Sequence, residues 1–165
     1  MSLVADGQLY PEHAKEAFLF YKLLKEKVAP VLARDDEAGG EFFLKHVDDR
    51  GDHILVDEDY NIAAIIDWEF ARFVGVCEAF GPSAFTADLS KVYRATVGLS
   101  RDDELLARCL EEKGSAELAR YASGSELARR VHFGLASGFS KDEVLEMTKA
   151  VLILLDDDGY RDVDG

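Results

Sequence analysis

The sequence contains few cysteines, few prolines and few basic side chains. Of its 165 residues, 2 are cysteine, 3 are proline and 19 are lysine or arginine, against 33 aspartates and glutamates. The two cysteines, Cys77 and Cys109, form no C-x-x-C pair and have no zinc-site spacing with histidine. This scarcity argues against a disulfide framework and favours a reducing, cytoplasmic compartment.

Long hydrophobic runs and an excess of positive charge are also lacking. The longest unbroken aliphatic run, residues 151–155, is far too short to span a bilayer, and the N-terminus lacks the form of a signal peptide. The net charge of −14 argues against nucleic acid as a partner and against a role on an anionic membrane, because both present phosphate. The 48 % of apolar residues is typical of a globular protein, so we expect a single domain over residues 1–165.

Apolar residues recur at helical intervals near the start of the chain and throughout its second half. Pro30 predicts that the first helix kinks or ends near Val28. Ser100 begins an S-x-x-D pattern, which is typical of a helix start. Gly124 lies inside the helical stretch 116–136, so this stretch is predicted to form either one helix or two. The first predicted helix begins near Pro11, and one of its faces carries Ala14, Phe18, Tyr21, Leu24, Val28 and Leu32. Further helices are predicted at 88–97, after Ser100 and at 116–136. The last predicted helix follows the capping box of Ser140, and one of its faces carries Val144, Met147, Val151 and Leu155.

Short apolar runs in the first half of the chain predict three β-strands. An acidic turn joins the second and third strands into a hairpin, which we expect to pack on helices. The order of helix, strands and further helices predicts an α+β fold. The predicted strands lie at 41–45, 53–56 and 62–66, the turn at 57–61 and an irregular segment at 75–85.

The densest group of polar side chains lies at residues 46–53, between two predicted strands. It holds three aspartates, two histidines and one arginine, and flanking strands that fix such a loop are typical of catalytic loops. Asp67 directly follows the strand 62–66, which we expect to be buried, and a carboxylate there needs a cation or hydrogen-bond donors. A solvated acidic turn is the alternative interpretation of the polar segment.

Three short motifs follow one another in this region: H-V-D at 46–48, H-I-L-V-D at 53–57 and I-I-D-W-E at 65–69. In this order they resemble the catalytic loop H-G-D-x-x-x-x-N-I-L-V and the metal-binding strand I-I-D-W-E of the aminoglycoside phosphotransferase family, which has a protein-kinase-like fold. The resemblance implies a kinase-like C-terminal lobe, mostly helical with a small antiparallel β-hairpin. In this lobe, residues 10–70 would be the catalytic core and residues 86–156 the helical subdomain.

The resemblance implies a role for each matching residue. Asp48 corresponds to the catalytic aspartate that orients the acceptor hydroxyl and takes its proton, and His46 to the histidine that braces the loop. Asp67 corresponds to the aspartate that holds Mg²⁺ on the phosphates, and His53 occupies the second metal-ligand position, where the family has asparagine. Imidazole suits zinc or manganese better than magnesium, and Val47 replaces a glycine, so the loop departs from the family pattern at two positions. We expect Asp48, His53 and Asp67 to meet in one open cleft.

The resemblance also implies ATP and Mg²⁺ as cofactors and the hydroxyl of a small molecule as phosphate acceptor. The net negative charge favours a cationic acceptor. The sequence has no G-x-G-x-x-G loop and no V-A-I-K lysine, so we expect the N-terminal nucleotide-binding lobe to be absent. Such a chain alone is expected to transfer no phosphate at a useful rate, and apolar surface that the missing lobe would cover predicts self-association.

Two other functions fit the same residues. A non-catalytic binding or scaffold protein with a kinase-like fold is the main alternative, favoured by the missing lobe and by the two departures in the loop. Nucleotide binding would separate the phosphotransferase from this alternative, whereas stoichiometric zinc or manganese would identify a metal-dependent hydrolase. The ligands of such a hydrolase would be His46, Asp48, Asp52, His53 and Asp67.

Overall fold

The computed structural model describes residues 14–37, 40–47, 51–136 and 141–157. Across these ranges the chain has an α+β fold in which helical residues outnumber strand residues several-fold, as predicted. The elements are α1 (Ala14–Leu23), a π-helical turn (Leu24–Val28), α2 (Ala29–Glu37), β1 (Phe42–Lys45), β2 (Ile54–Val56), β3 (Ile62–Ile65), a 3₁₀ turn (Trp68–Phe70), β4 (Arg72–Gly75), α3 (Val76–Phe80), α4 (Leu89–Val92), α5 (Arg101–Glu112), α6 (Ala116–Ala122), α7 (Leu127–Ala136) and α8 (Lys141–Asp157).

The first helix does not end at Pro30 but widens just before it. The backbone N–H of Ala29 donates to the carbonyl of Leu24, five residues back, and α-helical geometry resumes in α2. Proline lacks an N–H and its ring crowds the preceding turn, so one wider turn lets the helix continue through it. The predicted irregularity near Val28 is therefore confirmed, in the form of a π turn.

The buried face of this first helix differs from the predicted one. Phe18 and Tyr21, both predicted on the apolar face, have more than half of their surface exposed, whereas Phe20 is buried. The buried stripe follows the side of the helix that packs against α8, a choice that periodicity alone does not make. The hydrophobic core contains Phe20, Leu24, Val28 and Val31 from this helix, Val92, Leu127 from α7, and Met147, Val151, Leu154 and Leu155 from α8.

Local signals in the second half of the chain are largely confirmed. Ser100 and Asp103 form a reciprocal capping box at the start of α5, with Asp103 N–H donating to the Ser100 hydroxyl at 2.9 Å. The stretch 116–136, predicted as one or two helices, forms two helices, α6 and α7, that are separated near Gly124. On α8, the predicted face with Met147 and Val151 is buried, while Ser140, which we expect to cap this helix, lies outside the described residues.

The helix predicted at 88–97 is wrong in length, since α4 ends at Val92. The cause is Arg130, whose guanidinium donates to the carbonyls of Val92 and Arg94 at 2.9 and 2.8 Å and also to the carbonyl of Thr96. These carbonyls take a side-chain donor in place of the N–H groups that a longer helix would provide.

A cluster of almost fully buried charges joins α5 to α7. Arg129 donates to both carboxylate oxygens of Asp103 and to Glu126, each at 2.9 Å, and Arg130 donates to Glu126. The two positive and two negative charges balance, which lowers the cost of burying them. The Thr86 hydroxyl also donates to Asp103, at 2.5 Å, so the segment before α4 is tied to this buried charge cluster.

The four described strands form two antiparallel pairs. β2 and β3 form the predicted hairpin, in which Ile54 lies opposite Ile65. β1 pairs with β4. The sequence analysis did not predict β4, because its four residues lie in a stretch where apolar and polar residues do not follow a strand pattern. The expectation that the hairpin packs on helices is wrong for β3, whose residues are all exposed, since the described chain brings no helix across them. Among the described helices, none is long and apolar enough to cross a membrane.

Candidate functional site

The candidate site lies at the end of β1 and at the open end of the β2–β3 hairpin, where β2 begins and β3 ends. His46 directly follows β1, and its Nε2 lies 2.8 Å from the carbonyl oxygen of Ile66, just after β3. A carbonyl only accepts hydrogen bonds, so Nε2 carries the proton. His46 therefore braces the start of the polar loop against the end of the hairpin, which is the arrangement that the resemblance implies for this histidine.

Asp67 adopts a left-handed backbone conformation, with φ +61° and ψ +51°. Aspartate tolerates this conformation better than most residues, and it starts a tight turn in which the indole N–H of Trp68 donates to the carbonyl of Ile65 at 2.8 Å. The expectation that Asp67 follows a buried strand is wrong. Its side chain is 49 % exposed, and the isoleucines before it are exposed too, because the hairpin is short and uncovered.

His53 and Asp67 come together, as predicted. The backbone N–H of Ile66 donates to the carbonyl of His53 at 3.0 Å, which extends the hairpin ladder by one step. The His53 Nε2 then lies 3.5 Å from Oδ2 of Asp67 and 4.0 Å from Oδ1 of Asp52. Asp48, the predicted catalytic residue, lies outside the described residues, so its place in the cleft stays a prediction.

Aromatic contacts fix the two histidines. The ring of His46 lies 5.2 Å from that of His53 and 5.1 Å from that of Trp68, the latter in an edge-to-face arrangement. Trp68 belongs to the I-I-D-W-E motif, but the sequence alone assigned it no role. Its indole both closes the turn after Asp67 and packs against His46, and the position of this tryptophan directly after the aspartate of the motif was the available signal.

Gly51, near the end of the polar segment, has a left-handed backbone conformation. Its φ is +89°, whereas Val47, whose β-branched side chain disfavours positive φ, does not have one. A Cβ on Gly51 would come within 3.0 Å of the ring of Phe85, so this ring lies directly against the loop backbone. The packing of Phe85 on the loop is a long-range contact that the sequence did not predict.

The hairpin turn has no part in the site. The carboxylate of Asp57 accepts from the backbone N–H groups of Asn61 and Asp59, at 2.8 and 2.9 Å. The hydrogen bond from the Asn61 backbone, followed by that from its side-chain amide, lowers the pKa of Asp57. This carboxylate closes the turn between β2 and β3, and so it is a structural residue.

The described residues contain no group of three histidine, cysteine or acidic side chains placed to hold a metal ion. Asp67 and His53 alone offer two donors, one carboxylate and one imidazole. The carboxylate fits a cation such as Mg²⁺, which takes its other ligands from water and phosphate oxygens, whereas the imidazole suits zinc or manganese better. His46 donates from Nε2 to Ile66 and has no hydrogen-bond partner at Nδ1 among the described residues, so this contact does not separate the hydrolase alternative from the others.

Comparisons with protein-family models, with curated proteins and with solved structures returned no match to this chain. The resemblance to the aminoglycoside phosphotransferase family therefore rests on the three sequence motifs.

Proposed function

We propose that this chain is the catalytic lobe of an ATP- and metal-dependent phosphotransferase that resembles the aminoglycoside phosphotransferases and acts on the hydroxyl of a small molecule. The observation that carries the proposal is the approach of His53 to Asp67 at 3.5 Å, beside a loop that His46 braces against Ile66. His46, His53 and Asp67 each belong to one of the three motifs, which are separate in sequence and adjacent in space.

Each residue has a distinct task in the proposed reaction. Phosphoryl transfer needs positioning and charge neutralisation more than covalent help from the protein. Asp48, two residues after the bracing His46, takes the proton of the acceptor hydroxyl. Asp67 presents a half-exposed carboxylate to the cation, and the less exposed His53 lies beside that carboxylate. Bound Mg²⁺ supplies the positive charge that offsets the phosphates.

This chain supplies only part of a nucleotide site. A kinase-like enzyme also needs a glycine-rich cover over the phosphates and a lysine that pairs with them, and neither is found in this sequence. Each lost charge-assisted contact is worth about 1.5–3 kcal/mol, so we expect ATP to bind this chain with a millimolar or weaker dissociation constant. Phosphate transfer by this chain alone is expected to be negligible.

Titration calorimetry with ATP and Mg²⁺ tests the proposal. We expect weak, Mg²⁺-dependent binding that Asp67→Ala abolishes and that Asp59→Ala, which removes an exposed carboxylate at the hairpin turn, leaves unchanged. Binding that Asp67→Ala does not alter would contradict the assignment of the site. Binding in the low micromolar range would contradict the expected weakness of a lone lobe.

A non-catalytic binding protein is the second candidate, and a specific surface favours it. In the β1–β4 pair, Leu44 lies opposite Phe73, and Phe42 shares their face because side chains alternate along a strand. The side chains of Leu44, Phe73 and Phe42 are 56 %, 72 % and 70 % exposed. We propose that this face, which we call the ribbon face, contacts a second copy of the chain.

The area of the ribbon face sets the strength of that contact. Three such side chains expose roughly 400 Å² of apolar surface in each copy. Two copies together would bury roughly 800 Å², which is below the range of stable specific interfaces, and the charge of −14 on each copy opposes their approach. The self-association is therefore expected to be weak and to strengthen with salt.

A further inference from the structure

An open pocket of about 260 Å³ lies between α2, α3 and the end of α6, and it shares no lining residue with the candidate functional site. Its apolar lining includes Leu32, Leu127 and Ala128. Leu127 also belongs to the hydrophobic core, so this side of the pocket is anchored to the best-packed part of the molecule. The volume is enough for a ligand of about ten heavy atoms, slightly below the range usual for drug-sized ligands.

The two charged side chains that line the pocket differ in how far they are neutralised. Glu78 is paired, because Arg72 donates to its Oε1 at 2.5 Å. Arg120 has no carboxylate partner among the residues described, and its guanidinium lies 5.4 Å above the ring of Tyr121, which also lines the pocket. Among the described lining residues, the uncompensated charge is therefore positive.

We propose that this pocket binds a small monocarboxylate with an apolar body, such as an arylalkyl acid. The planar guanidinium of Arg120 matches a carboxylate with two parallel hydrogen bonds, and the apolar body would contact Leu32 and Ala128. Because Glu78 is already paired with Arg72, the described lining leaves one guanidinium for one carboxylate, and this favours a ligand with a single negative charge. The proposed ligand class thus follows from the guanidinium of Arg120, the paired carboxylate of Glu78 and the apolar side chains of the lining.

Three compounds with the same ring and similar length separate the contribution of the ligand's charge from that of its apolar ring: phenylacetate is an anion, 2-phenylethanol is neutral and phenethylamine is a cation. Cys77 lines the pocket, so bound ligand should slow its alkylation by iodoacetamide. Cys109 is exposed on α5, and Cys109→Ser leaves a single reporter thiol. Amide chemical shifts of Tyr121 and Ala128 give a second readout that needs no thiol reactivity.

We expect phenylacetate to protect Cys77 with a dissociation constant on the order of 1 mM, with the alcohol and the amine much weaker. Arg120→Gln should weaken phenylacetate binding by about tenfold or more, since it removes a charge-assisted pair. Arg108→Gln, the same change at an exposed arginine of α5, controls for net charge. Equal protection by the amine, undiminished binding to Arg120→Gln, or neither protection nor amide shifts at tens of millimolar phenylacetate would overturn the proposal.

Discussion

The Nε2 atom of His53 lies 3.5 Å from Oδ2 of Asp67, although the two residues stand at opposite ends of the β2–β3 hairpin sequence. The backbone pair between His53 and Ile66, one step beyond the last strand pair, brings them together. In this ladder His53 lies opposite Ile66, so side-chain alternation alone would turn the next residue to the other face. The left-handed backbone of Asp67 instead places its carboxylate beside His53, so the polar pair depends on this turn as well as on the strand pairing.

The left-handed backbone of Asp67 gives the first prediction. Asparagine tolerates this conformation about as well as aspartate, whereas alanine does not. We expect Asp67→Asn to leave the free energy of unfolding nearly unchanged and Asp67→Ala to lower it by about 1 kcal/mol. Denaturant unfolding measures both, with Asp59→Ala as a control that should stay within about 0.5 kcal/mol of the unsubstituted protein. Equal stability of the Asn and Ala variants would contradict a left-handed backbone at Asp67.

The buried charge cluster gives the second prediction. Glu126→Ala removes the carboxylate that faces both Arg129 and Arg130, which leaves Arg129 paired with Asp103 and Arg130 buried with backbone carbonyls as its remaining acceptors. Breaking a buried ion pair in this way costs about 3–5 kcal/mol, so the free energy of unfolding should fall by that amount. Glu111→Ala, at an exposed position of α5, is the matched control and should have little effect. A Glu126→Ala variant as stable as the control would contradict the described packing of the cluster.

The difference between local and long-range contacts explains what the sequence could predict. The capping box at Ser100, the break at Gly124 and the hairpin turn at Asp57 are local, so residues close in sequence determine them. The buried partners of Glu126 and the shortening of α4 by Arg130 depend on contacts between distant segments, which residue spacing does not contain. At the candidate site, motif order predicted the meeting of His53 with Asp67 for the same local reason, while Phe85 approaches from far along the chain and was missed.

His132 gives a prediction about pH. Partial burial, and then the charge of Arg72, lower the pKa of its imidazole, while Glu78 opposes and Lys45 adds to this effect. Arg72 donates to Nδ1 at 3.3 Å, which requires that nitrogen to be unprotonated. The unfolded chain, with a pKa near 6.5, therefore binds the proton more readily than the folded chain.

The sign follows from this difference in proton binding. The contribution of His132 to stability is complete above pH 6.5 and is lost as the pH falls below that value toward the lower folded-state pKa. Thermal unfolding between pH 5 and 8 should show this loss, and His132→Gln should reduce the slope just below pH 6.5. A slope that persists unchanged in His132→Gln would assign the pH dependence to other groups.

The ribbon face gives a prediction about association. Threonine keeps the strand propensity of an aromatic residue while removing apolar surface, so Phe42→Thr combined with Phe73→Thr should abolish the weak self-association without unfolding the ribbon. Sedimentation equilibrium at low and high salt measures it, and association of the unsubstituted chain should increase with salt because the like charges are screened. Ile153→Thr, at an exposed position of α8, is the matched control. Association that survives the double substitution would place the contact elsewhere.

Paramagnetic relaxation by Mn²⁺ in the presence of a non-hydrolysable ATP analogue tests the central claim most directly, because it detects weak binding and locates it. The account predicts that the amide signals of His53, Ile66 and Asp67 broaden only when the nucleotide and Mn²⁺ are both present. It also predicts that Asp67→Asn removes this broadening and that Asp59→Asn does not. Broadening confined to the exposed acidic turn at the hairpin, or broadening near His53 that Asp67→Asn leaves unchanged, would contradict the proposal that Asp67 holds the cation of a phosphotransferase.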